Sequence, residues 1–297
     1  MPRHYRVELV APEQVVGGES GGFAFDLYAR KCLAQGDSWF SIGAFPPGAT
    51  SNVLAELRLA RATAVVNCAR PGQVLQHMND TSSESWFVSL LAGHVAMRWD
   101  AILISGGGND LIDAAAVGPQ HPAAKRLLLT PAERPLDPTA GDDFVSPAGW
   151  ATFEGYLGRV FDALVRRRDR GVNRGVPMLF HTYATVMPRP AGAGLGFGPW
   201  LAPSLRRFEV PQAQWLAVST ALTDRLAALL QRLIAKHLQA DPAANLHLVD
   251  TRTAPLVLAQ PTDTGVAGDF HNEIHLTYRG YRKAAAVWQR VLDPILR

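Results

Sequence analysis

Short apolar runs, each closed by a turn and followed by a helical pattern, recur along this chain and restrict its fold more than any other feature. Residues 63–69 (TAVVNCA), 100–105 (DAILIS), 177–184 (PMLFHTYA) and 245–250 (NLHLVD) are too short for buried helices and read as strands. A further run, Cys32-Leu33-Ala34, stops at Gly36-Asp37-Ser38-Trp39. Helical patterns separate them: from Ser51 as N-cap through Leu54, Leu57 and Leu59, then over 83–97, 149–168, 211–239 and 277–296. Strands alternating with helices imply right-handed βαβ units and a parallel sheet covered on both faces. The expectation is an α/β chain of one domain spanning 1–297, with ligands held beyond the carboxyl ends of its strands. Ser38, Gly72 and Asn109 all fall at such ends.

Composition narrows the function. A chain of 297 residues with 47% hydrophobic and 19% charged residues is long enough for a large core and too apolar for disorder. The net charge of +3 is scattered, and the one dense basic run, Arg166-Arg167-Arg168 with Arg170, ends a helix, where cations suit the dipole and a solvated face. Nucleic acid is therefore not the expected partner. The two cysteines, Cys32 and Cys68, sit in or beside strand-like runs and read as buried, inert thiols. No apolar run reaches the ~18 residues that span a bilayer, and the first nine residues lack the apolar core of a signal peptide. The chain is expected to be soluble and cytoplasmic, with an export signal upstream of it left open. Its oligomeric state is not legible.

Three stretches depart from the alternation. Residues 1–31 read as irregular and contain Gly17-Gly18-Glu19-Ser20-Gly21-Gly22, a formal G-x-S-x-G whose flanking glycines dissolve the strand and helix that a nucleophile elbow needs. Residues 114–149, rich in proline, read as an insertion over one face, of the kind that forms a lid or binding loop. Residues 186–203, rich in glycine, proline and aromatics, read as a second irregular loop.

A serine hydroxyl at a strand end becomes a nucleophile when a base takes its proton and donors hold the oxyanion. Ser38 is that candidate, with its own N–H, the N–H of Gly72 and the amide of Asn109 as oxyanion donors. Singly, Gly72 reads as a turn glycine and Asn109 as a loop cap. The base is expected in Asp269-Phe270-His271-Asn272-Glu273-Ile274-His275, where His275 just precedes the last helix and His271 competes with it. No H-E-x-x-H or other metal-ligand spacing occurs, so no metal and no cofactor are expected. Trp39, Phe40 and Phe45 follow the nucleophile, and Phe197 and Trp200 lie in the second loop. Trp39, Phe197 and Trp200 are the candidates to line a substrate pocket, as acyl-chain walls, sugar platforms or loop pins. Arg189 is either a contact for an anionic substrate or a solvated side chain.

Together, Gly36-Asp37-Ser38, Gly72, Gly108-Asn109-Asp110 and His275 resemble the motifs of the SGNH (GDSL-type) hydrolases, in family order from about residue 30 to the end. The resemblance implies a flavodoxin-like three-layer sandwich, a five-stranded parallel sheet of order 2-1-3-4-5, and ester hydrolysis through an acyl-enzyme. It implies carboxylesterase, lipase-like or deacetylase activity on a small-molecule or lipid-like ester, with thioesterase or lysophospholipase activity as rivals on the same machinery. One position departs from the family pattern: the aspartate three residues before the histidine is here Asn272. An amide oxygen orients an imidazole but brings no full negative charge. Asp269 is favoured slightly over Asn272 as the third member, with Glu273 or a backbone carbonyl also open. A different class, a non-catalytic module with Gly106-Gly107-Gly108 cradling a phosphate, requires no Ser38.

Overall fold

The computed structural model describes residues 4–16, 23–41, 51–83, 85–194 and 196–297. Ser20 with its glycines, Phe45 and the Pro46-Pro47-Gly48 turn lie outside the described residues. The strands are β1 (Tyr5–Arg6), β2 (Glu8–Val10), β3 (Arg30–Gly36), β4 (Arg58–Leu59), β5 (Thr63–Asn67), β6 (Ala101–Ser105), β7 (Met178–His181) and β8 (Leu246–Val249). The α-helices are α1 (Pro12–Val16), α2 (Ser38–Ser41), α3 (Val53–Glu56), α4 (Leu75–Met78), α5 (Ser85–Ala92), α6 (Gly108–Ala116), α7 (Pro147–Asp169), α8 (Ala202–Arg207), α9 (Trp215–Ala240) and α10 (Tyr278–Ile295).

Six strands form one parallel sheet in the order β2-β5-β3-β6-β7-β8. Without its edge strand β2, this is the expected order 2-1-3-4-5. The sixth strand corrects the reading of residues 1–31 as irregular: Glu8, Leu9 and Val10 pair with Ala64, Val65 and Val66. Side chains alternate across the sheet, as the two-residue period of a strand requires. Leu33, Val66, Ile102, Ile104, Met178 and Phe180 face a core closed by α5, α7 and α9, while Cys32, Ala34, Val65, Leu103 and Leu179 face one closed by α3 and α10. The result is a three-layer α/β/α sandwich.

Several local expectations change. The N-cap of α3 is Asn52, whose side chain accepts from Ala55 N–H at 2.9 Å, and the helix stops at Glu56 because Arg58–Leu59 leaves it to pair with Tyr5–Arg6. The stretch 114–149 is not structureless. Helix α6 runs on to Ala116, three 3-10 turns follow, and Leu127, Leu128, Phe144 and Val145 are buried in the core beneath α7 and α9. Four buried apolar side chains anchor the insertion to the domain. The basic run ending α7 is also only partly solvated: Arg168 is fully buried and binds Asp169 at 2.9 Å and the Val176 carbonyl at 3.0 Å. Among the described residues, no helix is long and apolar enough to cross a membrane.

Candidate active site

Strand β3 ends where its chain comes closest to β6. Gly36 pairs with Ser105, and a Cβ added to Gly36 would stand 2.5 Å from the Ser105 Cβ. Only glycine permits that approach. The chain then turns at Asp37 into α2. Asp37 caps this turn: its Oδ1 accepts from Trp39 N–H at 2.9 Å, and its carbonyl accepts from the N–H groups of Phe40 and Ser41, both at 3.1 Å. The N–H of Ser38 takes none of these bonds, as first-turn amides do. The Asp37 carboxylate also accepts from Ser105 Oγ at 2.8 Å and from the Tyr183 hydroxyl, and burial pushes its pKa up to about 6. Behind it, His181 Nε2 lies 2.8 Å from Ser105 Oγ, stacked on Phe40. A polar chain of the buried Asp37, Ser105 and His181 with the half-buried Tyr183 thus braces the nucleophile turn.

On the far side, Ser38 Oγ lies 2.9 Å from His275 Nε2. His275 Nδ1 in turn lies 3.0 Å from Asn272 Oδ1. That oxygen also accepts from the backbone N–H groups of Ile274 at 3.2 Å and His275 at 2.9 Å. Two backbone donors can face only an oxygen, so they define which way the amide points. The imidazole must then carry its proton on Nδ1, which leaves the Nε2 lone pair toward Ser38. Burial, with the charge of His271 adding to it, lowers the His275 pKa to about 4, so the ring is neutral at pH 7.

Asp269, favoured by the sequence reading, does not face the imidazole. Its Oδ2 accepts from Val257 N–H at 2.6 Å and from Lys283 Nζ at 2.6 Å. The lysine arrives from α10 and pairs with the carboxylate. Glu273 is turned away too. Its carboxylate accepts from the N–H groups of Leu201 at 2.9 Å, Ala202 at 2.8 Å, Arg189 at 3.2 Å and Trp200, at the start of α8. Arg189 is fully buried and meets no solvent. It donates to the carbonyls of Asn272 at 2.7 Å, Gly265 at 2.5 Å and Asp263 at 3.1 Å. Adjacent residues on this loop therefore have divided duties: Asn272 holds the histidine, while Glu273 holds the loop that carries Trp200. The edge of Trp200 meets the His275 ring with centroids 5.1 Å apart. His271 gives its backbone N–H to the His275 carbonyl at 2.8 Å.

Asn109, in the first turn of α6, donates through Nδ2 to the Gln73 carbonyl at 3.1 Å. Gly72 occupies the corner of the preceding turn with φ +76°, closed by Gln73 N–H donating to Arg70 O at 3.3 Å. That is position i+2 of a type II turn, where glycine is favoured for its backbone alone. The three glycines after β6 are filled rather than hollow: an added Cβ would meet Leu75 at Gly106 and the Tyr183 ring at Gly108, both within 2.7 Å, and Gly107 has φ +100°.

Ser38 and Asn109 open into one cavity. Trp39 lines it, whereas Phe197 is 67% exposed and outside its wall, and Trp200 touches the imidazole instead. Much of the remaining wall comes from Leu111 and Ile112 of α6 and Leu222 and Leu226 of α9, which sequence reasoning missed. Among the described residues, no group of three or more His, Cys, Asp or Glu side chains is placed to hold a metal ion.

No family model matches the chain, and no curated protein matches it. Among solved structures it is similar to a putative arylesterase from Agrobacterium tumefaciens str. C58, with 16% identity over 90% of this chain and 99% of that one, at a TM-score of 0.48. It is similar to the aryl esterase of M. smegmatis, with 14% identity over 90% and 99% of the two chains and a TM-score of 0.46. An extracellular lipase from Streptomyces rimosus shows 15% identity over 89% and 99%, with a TM-score of 0.46. In strand order, and in the chain positions of its Gly-Asp-Ser, Gly-Asn-Asp and final histidine, the protein resembles the SGNH (GDSL-type) hydrolases.

Proposed function

We propose that the protein is a serine ester hydrolase working through an acyl-enzyme, with Ser38 as nucleophile, His275 as base and Asn272 as the group that orients it. The observation that carries this reading is the continuous relay from Ser38 Oγ to His275 Nε2 at 2.9 Å and from Nδ1 to Asn272 Oδ1 at 3.0 Å. Nε2 takes the Ser38 proton as Oγ bonds to the ester carbonyl carbon, and the carbonyl electron pair moves onto oxygen. The N–H of Ser38 and the second hydrogen of the Asn109 amide are the proposed donors to that oxyanion, both residues being part of the cavity wall. Gly72 N–H, on the exposed turn beside Gln73, is the third donor of the proposal. The oxyanion collapses, the ester C–O bond breaks, and the imidazolium gives its proton to the leaving alcohol. His275 then takes a proton from water as it attacks the acyl carbon, and gives it to Ser38 Oγ as the acyl C–Oγ bond breaks and the carboxylic acid leaves.

The test is hydrolysis of p-nitrophenyl acetate and butyrate by wild type, Ser38→Ala and His275→Ala. The expected result is turnover by wild type and a loss of at least about 10³-fold in kcat in each variant. Turnover that survives Ser38→Ala overturns the reading.

A further inference from the structure

The cavity beside Ser38 has a wall that says what it can hold. On α9 it is built by Ser219, Leu222, Thr223 and Leu226, a helical stripe at i, i+3, i+4 and i+7 that extends about 10 Å along the helix. Leu111 and Ile112 of α6 stand in the same wall, with Val186 and Leu201 from the loop before α8. The polar side chains in it are already engaged. Ser219 Oγ donates to the Val186 carbonyl at 2.7 Å, and Thr223 Oγ1 donates to the Ser219 carbonyl at 2.8 Å. Tyr183 donates to Asp37, whose carboxylate is taken up by Ser105 and Trp39 as well. Beyond the mouth, where Ser38 and Asn109 stand, an occupant therefore meets mainly methyl and methylene groups, and the hydroxyl hydrogens of Ser219 and Thr223 are already given to backbone carbonyls. A sugar ring placed there leaves most of its hydroxyls unpaired, at a cost of roughly 1–3 kcal/mol each. A hydrocarbon chain incurs no such cost and gains from leaving water.

We propose, on the ester-hydrolase reading above, that this cavity seats the acyl chain of the substrate, an unbranched aliphatic chain of medium length, and that Leu222 and Leu226 set how long it can be. About 10 Å of wall matches about eight carbons in an extended chain. The scissile carbonyl sits at Ser38 and the chain runs inward between α6 and α9. The leaving alcohol stays on the open side of Ser38, so chain length on the acyl side governs specificity. Trp39, at the mouth, packs against the first carbons; the exposed Phe197 takes no part.

The experiment compares kcat/KM for p-nitrophenyl acetate, butyrate, octanoate and palmitate in wild type, Leu226→Trp and Leu226→Ala, with melting temperature reporting that each variant folds. Alongside it, sodium octanoate and sodium acetate are titrated calorimetrically into Ser38→Ala and Ser38→Ala/Leu226→Trp, which reads the cavity without turnover. The expected result is a maximum at butyrate or octanoate in wild type, and a fall of at least tenfold in the octanoate-to-acetate ratio in Leu226→Trp. Leu226→Ala moves the maximum toward palmitate, and octanoate binds at least tenfold more tightly than acetate to Ser38→Ala but not to the double variant. A profile that declines steadily from acetate, or an octanoate-to-acetate ratio and octanoate binding both indifferent to Leu226→Trp, overturns the assignment. Selective octanoate binding without turnover of any ester leaves the pocket standing and overturns the hydrolase reading instead.

Discussion

Asn272 holds His275 from two sides: one amide oxygen lies 3.0 Å from the ring Nδ1 and 2.9 Å from the backbone N–H of the same residue. Ring orientation and loop conformation thus depend on one atom. An aspartate there makes the same hydrogen bonds and adds a charge that stabilises the imidazolium. With an amide, the ring is aligned and in the correct tautomer, but its protonated form is not favoured. That agrees with a His275 pKa lowered to about 4.

The exchange is therefore informative in both directions. Asn272→Ala removes the acceptor from a buried N–H and costs about 1–3 kcal/mol of positioning, so kcat/KM falls about 5- to 150-fold. Asn272→Asp keeps the geometry, raises the His275 pKa and shifts the acid limb of kcat/KM upward. Steady-state kinetics of the two variants across pH check both outcomes.

The pH profile of wild type follows from the same ring. His275 must be neutral at Nε2 to accept the Ser38 proton, so kcat/KM stays flat through neutral pH and falls only as pH approaches about 4. Because the folded pKa lies below the unfolded value of about 6.5, the unfolded chain binds more protons between those limits. The His275 contribution to stability is thus intact above about pH 6.5 and is lost as pH falls toward about 4. His271→Gln removes a neighbouring positive charge, so it moves the kinetic acid limb upward.

Glu273 and Arg189 are positioning residues in this account. Glu273→Gln cannot serve four backbone N–H groups equally, since one carboxylate oxygen becomes a donor. Trp200 then loses its hold against His275. Melting temperature and kcat should fall together in Glu273→Gln, and Arg189→Met should do the same through the Asn272 carbonyl. A variant with unchanged kcat at a lowered melting temperature would confine both residues to stability.

Gly36→Ala tests the close contact beneath the nucleophile. A Cβ 2.5 Å from the Ser105 Cβ, and 2.9 Å from the Ser105 carbonyl oxygen, forces two central strands apart. Overpacking of this kind costs about 1–3 kcal/mol, with a fall in Tm of about 2–4 °C for each. Differential scanning calorimetry of the variant reads this directly.

Much of this was legible in the sequence where local physics decides. Strands β5 to β8 show as short apolar runs, and Gly36-Asp37-Ser38 marks where the run Cys32-Leu33-Ala34 stops. The strand Glu8–Val10 is only three residues long, and its membership of the sheet depends on Thr63–Asn67 lying beside it, which no local pattern reveals. Asp269 looked slightly the better partner for His275 because loop geometry, rather than sequence spacing, decides reach. What removes it is Lys283, on a helix that starts beyond the histidine and folds back over the loop. Arg189 between prolines looked solvated, yet three backbone carbonyls give it reason to be buried. Leu222 and Leu226 belong to a periodic helix face, and periodicity alone does not separate a core contact from the wall of an empty cavity.

The central claim is that Ser38 Oγ forms a covalent bond under the control of His275. Intact-mass and peptide mapping after reaction with a fluorophosphonate tests it most directly. The account predicts one adduct, located on Ser38, absent in Ser38→Ala and formed far more slowly in His275→Ala. Labelling at another residue, or labelling of Ser38 at an unchanged rate in His275→Ala, would contradict it.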